Sequence, residues 1–431
     1  MFLPNPKTTK PLPTIQFWLL LLTFVCLHPT NITTTSGLQP SIPTSMRQSI
    51  KLNSNDSDER RMTRFESPTP SLSQTSLGES DGGSAEPKFK FGVIADIQYA
   101  PIPDGYSFAG ALRYYRHSLH VARHAAQHFE SEAVDLVLNL GDIIDGKCQD
   151  IVKHGGDPLP EGADPGLLAV DDVLEALKMY QQGPVLHTYG NHELYNLDRN
   201  EIGKKLNIPF HKEPCGDLVG YYSHAHRGVR FVVIDSYDVA IMQRCKSTSE
   251  KYKEASNILA RENPNFPHNG NSGEGLEDEN RRFVEFNGGV GAPQLEWLRE
   301  TLLLSREADE KVVIISHQPI LPGSSSSVCL IWNYEEVLAV LREFKDVIVL
   351  SLAGHAHKGG YKRDDRSGIH FKTVECVLES PPPQTTFGVV EWYDDCLVLH
   401  GYGDCPTTHF DFEHLAAAKE GAVFKPNVLA I

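Results

Sequence analysis

From residue 88 onward, short apolar runs recur along the chain, each closed by a polar cluster. Lys88-Phe-Lys-Phe-Gly-Val-Ile-Ala95 is the first; Val134 to Leu140, Val185 to Tyr189, Gly228 to Asp235, Lys311 to Ser316 and Val347 to Ala353 follow. Their length and β-branched content predict strands. Between them lie stretches with helical spacing: Tyr114 to Glu130, where Leu119, Ala122, Ala126 and Phe129 share a face, then Val170 to Tyr180, Glu296 to Leu304 and Glu335 to Phe344. Such alternation predicts an α/β fold with helices on the faces of a sheet. Three more strands, Ile369 to Val374, Thr386 to Tyr393 and Cys396 to Tyr402, follow without helices between them and predict a second, antiparallel portion. Lys246 to Asn280 breaks the pattern. It is rich in Asn, Gly, Pro and Glu and is expected to be a long surface loop.

The pattern differs before residue 88. Met1 to Ile50 contains no Asp or Glu and carries an apolar run, Phe17 to Leu27. A membrane-spanning helix needs about 20 apolar residues, so the run is short for one. Its length suits the core of a signal peptide, and the Ser/Thr-rich, acid-poor composition also suits a transit peptide. Residues 1–50 are therefore expected to be a targeting or signal-like extension, with its destination open. The sequons Asn31-Ile-Thr and Asn55-Asp-Ser would matter only in a secretory route. Residues 51–87 are too polar to bury a core and are expected to form a disordered linker. That leaves residues 88–431 as the folded domain.

The formal charge of the 431-residue chain is -16, which argues against a nucleic-acid partner. It does not exclude an anionic substrate, because bound metal ions reverse the sign of the local field. Eight cysteines are scattered with no CxxC pair, so neither a zinc ribbon nor a redox motif is expected, and free thiols are the reading. Nothing points to an obligate protein partner, and a monomer is expected.

The polar clusters closing the strands carry the chemistry. Asp96 and Gln98 follow the first strand, Gly141-Asp142-Ile-Ile-Asp145-Gly146 the second, and Gly190-Asn191-His192-Glu193 the third. His317 follows the run Val312 to Ser316, and Gly354-His355-Ala-His357 follows Ile348 to Ala353. Ligands of open α/β sheets bind outside the carboxyl ends of strands, so five strand ends would converge on one crevice. Carboxylates, amide oxygens and imidazoles suit Mn, Fe or Zn, and no thiolate is offered. A carboxylate such as Asp142 is placed to bridge two ions. Each motif alone reads equally well as turn chemistry or a satisfied core histidine; five in one order do not.

In that order the motifs resemble the calcineurin-like metallophosphoesterase superfamily. Gln98, where that superfamily usually has His, together with Arg113-Tyr-Tyr-Arg-His-Ser118, Phe286-Asn-Gly-Gly289 and Cys329-Leu-Ile-Trp-Asn333, resembles its manganese-dependent ADP-ribose/CDP-alcohol diphosphatases. The resemblance spans about residues 88 to 405. It implies a β-sandwich of two mixed sheets flanked by helices, and two divalent ions, Mn²⁺ first among them. One ion would be held by Asp96, Gln98, Asp142 and His357, the other by Asp142, Asn191, His317 and His355. His192 would face the phosphoryl group or leaving oxygen, and Cys329, Tyr106 and Phe108 would lie near the base or ribose. The implied reaction is attack of a metal-activated hydroxide on the phosphoanhydride of a small nucleotide diphosphate compound, ADP-ribose or a CDP-alcohol. Another phosphodiesterase, a phosphoprotein phosphatase or an inactive ligand-binding member of the fold are the alternatives.

Overall fold

The computed structural model describes residues 86–107, 110–244 and 246–419; Phe108, Cys26, Cys245, the expected targeting extension and almost all of the expected linker lie outside the described residues. Twelve strands make two six-stranded sheets. The first contains β1 (Phe89–Ile94), β2 (Leu136–Asn139) and β3 (Val185–His187). The second contains β4 (Tyr222–His226), β5 (Val229–Val233), β6 (Lys311–Ser316), β7 (Ile348–Ala353), β8 (Gly360–Arg363) and β9 (His370–Thr373). The last three, β10 (Phe387–Trp392), β11 (Cys396–Tyr402) and β12 (Thr408–Asp411), return to the first sheet.

Both sheets are mixed. The first runs β12-β11-β10-β1-β2-β3, with β1, β2 and β3 parallel and β10 antiparallel against β1. The second runs β8-β9-β7-β6-β5-β4, parallel at its centre and antiparallel at both edges. The late strands are therefore not a separate antiparallel portion. β10 to β12 extend the sheet that β1 opens, and β9 pairs parallel to β7. Strand period explains why both sheets are covered on two faces. In β6, Val313 and Ile315 point between the sheets, among Phe91, Val93, Leu138 and Phe231. Val312 and Ile314 point outward against Leu298, Leu302, Val337 and Leu341. Those four belong to helices α6 (Ala292–Glu307) and α7 (Tyr334–Glu343).

The other outer face is covered by α1 (Tyr115–Ser131) and α2 (Pro165–Leu177). Gly92 of β1 lets α1 come close, since a Cβ there would sit 2.8 Å from the Phe129 ring. α2 begins five residues before the expected start, because Asp164 accepts the Leu167 N–H and Pro165 opens the first turn. Two short helices, α3 (Asn191–Asn196) and α4 (Arg199–Lys205), follow β3.

The expected loop at 246–280 is corrected. Glu250–Glu262 forms a helix, α5, and Asp278–Arg282 a 3-10 turn. Ser249 caps α5 by accepting the Tyr252 N–H, and Ala255 and Leu259 bury its inner face against Trp332 and Phe283. A short terminal helix, α8 (Glu413–Lys419), follows β12. The six cysteines among the described residues are free, as expected. No helix of the described residues is long and apolar enough to cross a membrane.

Candidate active site

Strands of both sheets deliver their polar residues to one edge. The turns are stitched together by backbone: Asp96 N–H donates to Gly141 O at 3.2 Å and Gly354 N–H to His317 O at 2.9 Å. Gly190 and Gly141 allow the close approach, for a Cβ on Gly190 would collide with Asp142, and one on Gly141 would lie 2.7 Å from His317 Nδ1. Asp96, Gln98, Asp142 and His355 all sit in the left-handed backbone region, with φ of 51°, 43°, 54° and 65°. That conformation costs on the order of 1 kcal/mol for such residues and persists where surrounding structure enforces it, as at ligand clamps.

The side chains then converge. Asp142 Oδ2 lies 3.1 Å from Gln98 Nε2 and 3.2 Å from His317 Nε2. Gln98 Nε2 lies 3.0 Å from His357 Nε2, which is 3.8 Å from Asp96 Oδ1. One ligand atom each from Asp142, His317 and His355 lies within 4.8 Å of the others. Asn191 is buried beside them, and Asp142 Oδ1 accepts the neighbouring His192 N–H at 2.8 Å. The fold thus brings Asp96, Gln98, Asp142, Asn191, His317, His355 and His357 to one edge, with Asp142 in reach of both Gln98 and His317.

Each imidazole is held by its other nitrogen. His317 Nδ1 donates to Leu140 O at 2.7 Å and His357 Nδ1 to Glu379 Oε1 at 2.9 Å, which leaves both Nε2 lone pairs facing the cluster. His355 is turned the other way: Nε2 donates to Asn287 Oδ1 at 2.8 Å and frees Nδ1. The Asn287 orientation is itself fixed, because its Nδ2 donates to Arg282 O and Val328 O. Tyr237 O–H donates to Asn191 Oδ1 at 3.1 Å. Glu193 accepts the N–H groups of Gly190, Asp142 and Ile143 and so locks two of the turns together. Sequence reasoning assigned no role to Glu379, Asn287, Tyr237 or Glu193. Glu193 and Asn287 lie inside motifs already marked, Gly190-Asn-His-Glu193 and Phe286-Asn-Gly-Gly289, and Tyr237 ends one more polar cluster closing a strand, Asp235-Ser-Tyr237; Glu379 left no such signal.

His192 stands at the open side. Its Nδ1 accepts the Gly146 N–H at 2.7 Å, so the neutral ring carries its proton on Nε2, 4.0 Å from Asp142 Oδ2. Cys329, in a 3-10 turn at Ser327–Cys329, is close enough to the cluster that burial and then the Asp96 charge push its thiol up to about 12. Tyr106 is 66% exposed, on a two-stranded hairpin whose Gly105 packs near Tyr115 and Lys147. It lies at the rim rather than in the cluster, while Phe108 lies outside the described residues.

The donor set fits divalent ions. Gln98 Oε1 is buried with no partner. Exchanging the two ends of that amide, a choice set only by hydrogen-bonding logic, would put Oε1 among Asp142 Oδ2 and His357 Nε2. Three acceptors would then converge, and a cation satisfies them. Electrostatics agree. Burial raises a carboxyl's pKa, yet the charges of His317 and His192 outweigh it and hold Asp142 well below the usual range. Burial lowers His317, yet the Asp142 carboxylate lifts it well above an ordinary imidazole. The Asp142 carboxylate therefore favours a positive charge beside it, the charge that a bound divalent ion supplies. For Glu379, burial is outweighed by the hydrogen bonds from His357 and Lys358, which bring it to about 2.

A two-sheet sandwich with paired carboxylate, amide and imidazole ligands at the strand ends is the arrangement of a two-metal phosphoesterase. The family model for calcineurin-like phosphoesterases matches residues 89–359. The chain is 40% identical over 338 residues to the manganese-dependent ADP-ribose/CDP-alcohol diphosphatase of Oryza sativa subsp. japonica, covering 78% of this chain and 98% of that one. It is 39% identical over 341 residues to the protein of the same name from Homo sapiens, covering 76% and 94%. The crystal structure of a dimetal phosphatase from Danio rerio superposes with a TM-score of 0.69 at 35% identity, covering 76% of this chain and 100% of that one. The chain belongs to the calcineurin-like phosphoesterase family, within its group of manganese-dependent ADP-ribose/CDP-alcohol diphosphatases, and is a hydrolase.

Proposed function

We propose that this protein hydrolyses the phosphoanhydride of ADP-ribose to AMP and ribose 5-phosphate, and that of CDP-alcohols such as CDP-choline to CMP and phosphocholine. The convergence of Asp96, Gln98, Asp142, Asn191, His317, His355 and His357 on one edge, in two groups sharing Asp142, carries the reading. When bound, a pair of divalent ions activates water and neutralises charge on the phosphoryl oxygens. Mn²⁺ suits the set because the oxygens of Asp96, Gln98 and Asp142 predominate in one group.

The chain's own contribution is positioning and proton placement. Asp142 orients the turn that carries His192 by accepting its N–H. His192, held by Gly146 through Nδ1, points a proton on Nε2 towards the open side, where it donates to the leaving phosphoryl oxygen. Cys329 remains a neutral thiol and lies at the base or ribose end of the substrate, with Tyr106 contributing from its exposed hairpin and Phe108 assigned to the same end by the resemblance alone. The formal charge of -16 disfavours nucleic acid as substrate or partner, and the protein acts as a monomer.

The test is a substrate panel with Mn²⁺ and with Mg²⁺, with and without chelator. AMP release from ADP-ribose and CMP release from CDP-choline, dependent on added Mn²⁺, are expected. Hydrolysis of phosphopeptides in preference to both would sink the reading, and so would turnover that survives chelation.

A further inference from the structure

The sequence offers no thiol to the expected metal set, yet the fold brings one to its back. Val374 to Leu378, after β9, runs along the site edge: Val377 N–H donates to Ala95 O and Leu378 N–H to Asp96 O, both at 3.1 Å. Cys376 in that segment donates its N–H to His357 O at 3.1 Å and is buried. One ligand atom each from His357, Cys376 and Glu379 lies within 4.8 Å of the others. The cluster is not sealed. The Glu379 side chain is 9% exposed, and its Oε2 accepts from Lys358, whose side chain is 82% exposed and free to swing away.

We propose that His357, Cys376 and Glu379 form a separate cation site, selective for a soft or borderline ion such as Zn²⁺ or Cd²⁺, that competes with the catalytic centre for His357. Thiolate, imidazole and carboxylate together are a zinc-type set, whereas Mn²⁺ has little affinity for sulfur. Capture releases one proton to solvent, from the Cys376 thiol; the His357 proton passes from Nδ1 to Nε2 as the ring leaves the catalytic centre, and Lys358 is displaced from Glu379. No oxidant or reductant is needed. An ion on Nδ1 takes the hydrogen bond that orients the ring, and it sets a second positive charge across the imidazole from Nε2. Both effects weaken the hold of His357 on the catalytic centre, so the site is inhibitory. This inference rests on the diphosphatase reading only for that inhibition; the binding itself does not.

Two readouts test it on the full chain loaded with Mn²⁺. Titration with Cd²⁺ should produce the ultraviolet cadmium–thiolate absorption and a parallel loss of ADP-ribose turnover. In Cys376→Ser, turnover with Mn²⁺ should persist, the absorption should vanish, and Cd²⁺ affinity should fall at least about tenfold. Cys376→Ala serves if the buried hydroxyl prevents folding. Cys329→Ser should keep the absorption. Absorption and inhibition unchanged in both Cys376 variants would overturn the proposal, as would their loss in Cys329→Ser alone. Because the absorption does not require turnover, an enzyme inactive on nucleotide diphosphates would still report whether the site exists.

Discussion

Glu379→Gln keeps the size of the group behind His357 but removes the charge that holds its Nδ1–H. Loss of such a partner typically costs about 10–100-fold in metal affinity, and a loss in that range is expected here. Mn²⁺ titration by calorimetry measures it; an unchanged affinity would mean that His357 is not a ligand. Gln98 tests the other side of the same group. An imidazole is a softer donor than an amide oxygen, so Gln98→His should raise the retention of Zn²⁺ or Fe²⁺ relative to Mn²⁺. Bound metal counted after dialysis, alongside activity, decides this, and no change in preference would place Gln98 outside the ligand set. At this scale, legibility followed chain distance. The ligands were readable because each lies directly after its own strand. The pairings made by Glu379, Asn287 and Tyr237 were not, because they meet their histidine or asparagine across 22, 68 and 46 residues.

Among elements, the tight turn before α3 is the most constrained. Gly190 has an ordinary extended backbone, so its conformation does not require glycine. Space does: an added Cβ would press on the Asp142 carboxylate and backbone and lie 2.7 Å from Glu193 Oε2. Gly190→Ala should therefore abolish turnover by displacing Asp142, with weaker Mn²⁺ binding in the same preparation. Normal metal binding together with lost activity would contradict this. Element types came through from the sequence where period and punctuation agreed, as in α1 and β6. α5 was hidden because only Ala255 and Leu259 of its thirteen residues are buried apolar positions, set among polar residues that read as loop. The edge strands β4, β8 and β12 were hidden because each carries too few apolar positions to show a pattern.

Across the whole molecule, the site belongs to the seam where the two sheets meet, and no expected ligand precedes residue 88. A chain beginning at Glu86 should fold and keep full activity; a marked loss would mean that the preceding residues contribute to the site. The mixed α/β architecture followed from alternation alone, whereas the return of β10 to β12 to the first sheet did not, because a strand's pairing partner is not written in its own residues. Residues 1–50 fused to a fluorescent protein would test the targeting expectation, and a diffuse signal would count against it.

The central claim is that two ions share Asp142 and that turnover depends on both. The direct measurement is bound Mn²⁺ per chain by native mass spectrometry, paired with ADP-ribose turnover, for wild type and Asp142→Ala. The wild type should carry two ions. The variant should retain fewer, with turnover lowered beyond the roughly 10–100-fold cost of removing a group behind a ligand. Near-native turnover in Asp142→Ala, or a fully active wild type carrying a single ion, would contradict the account.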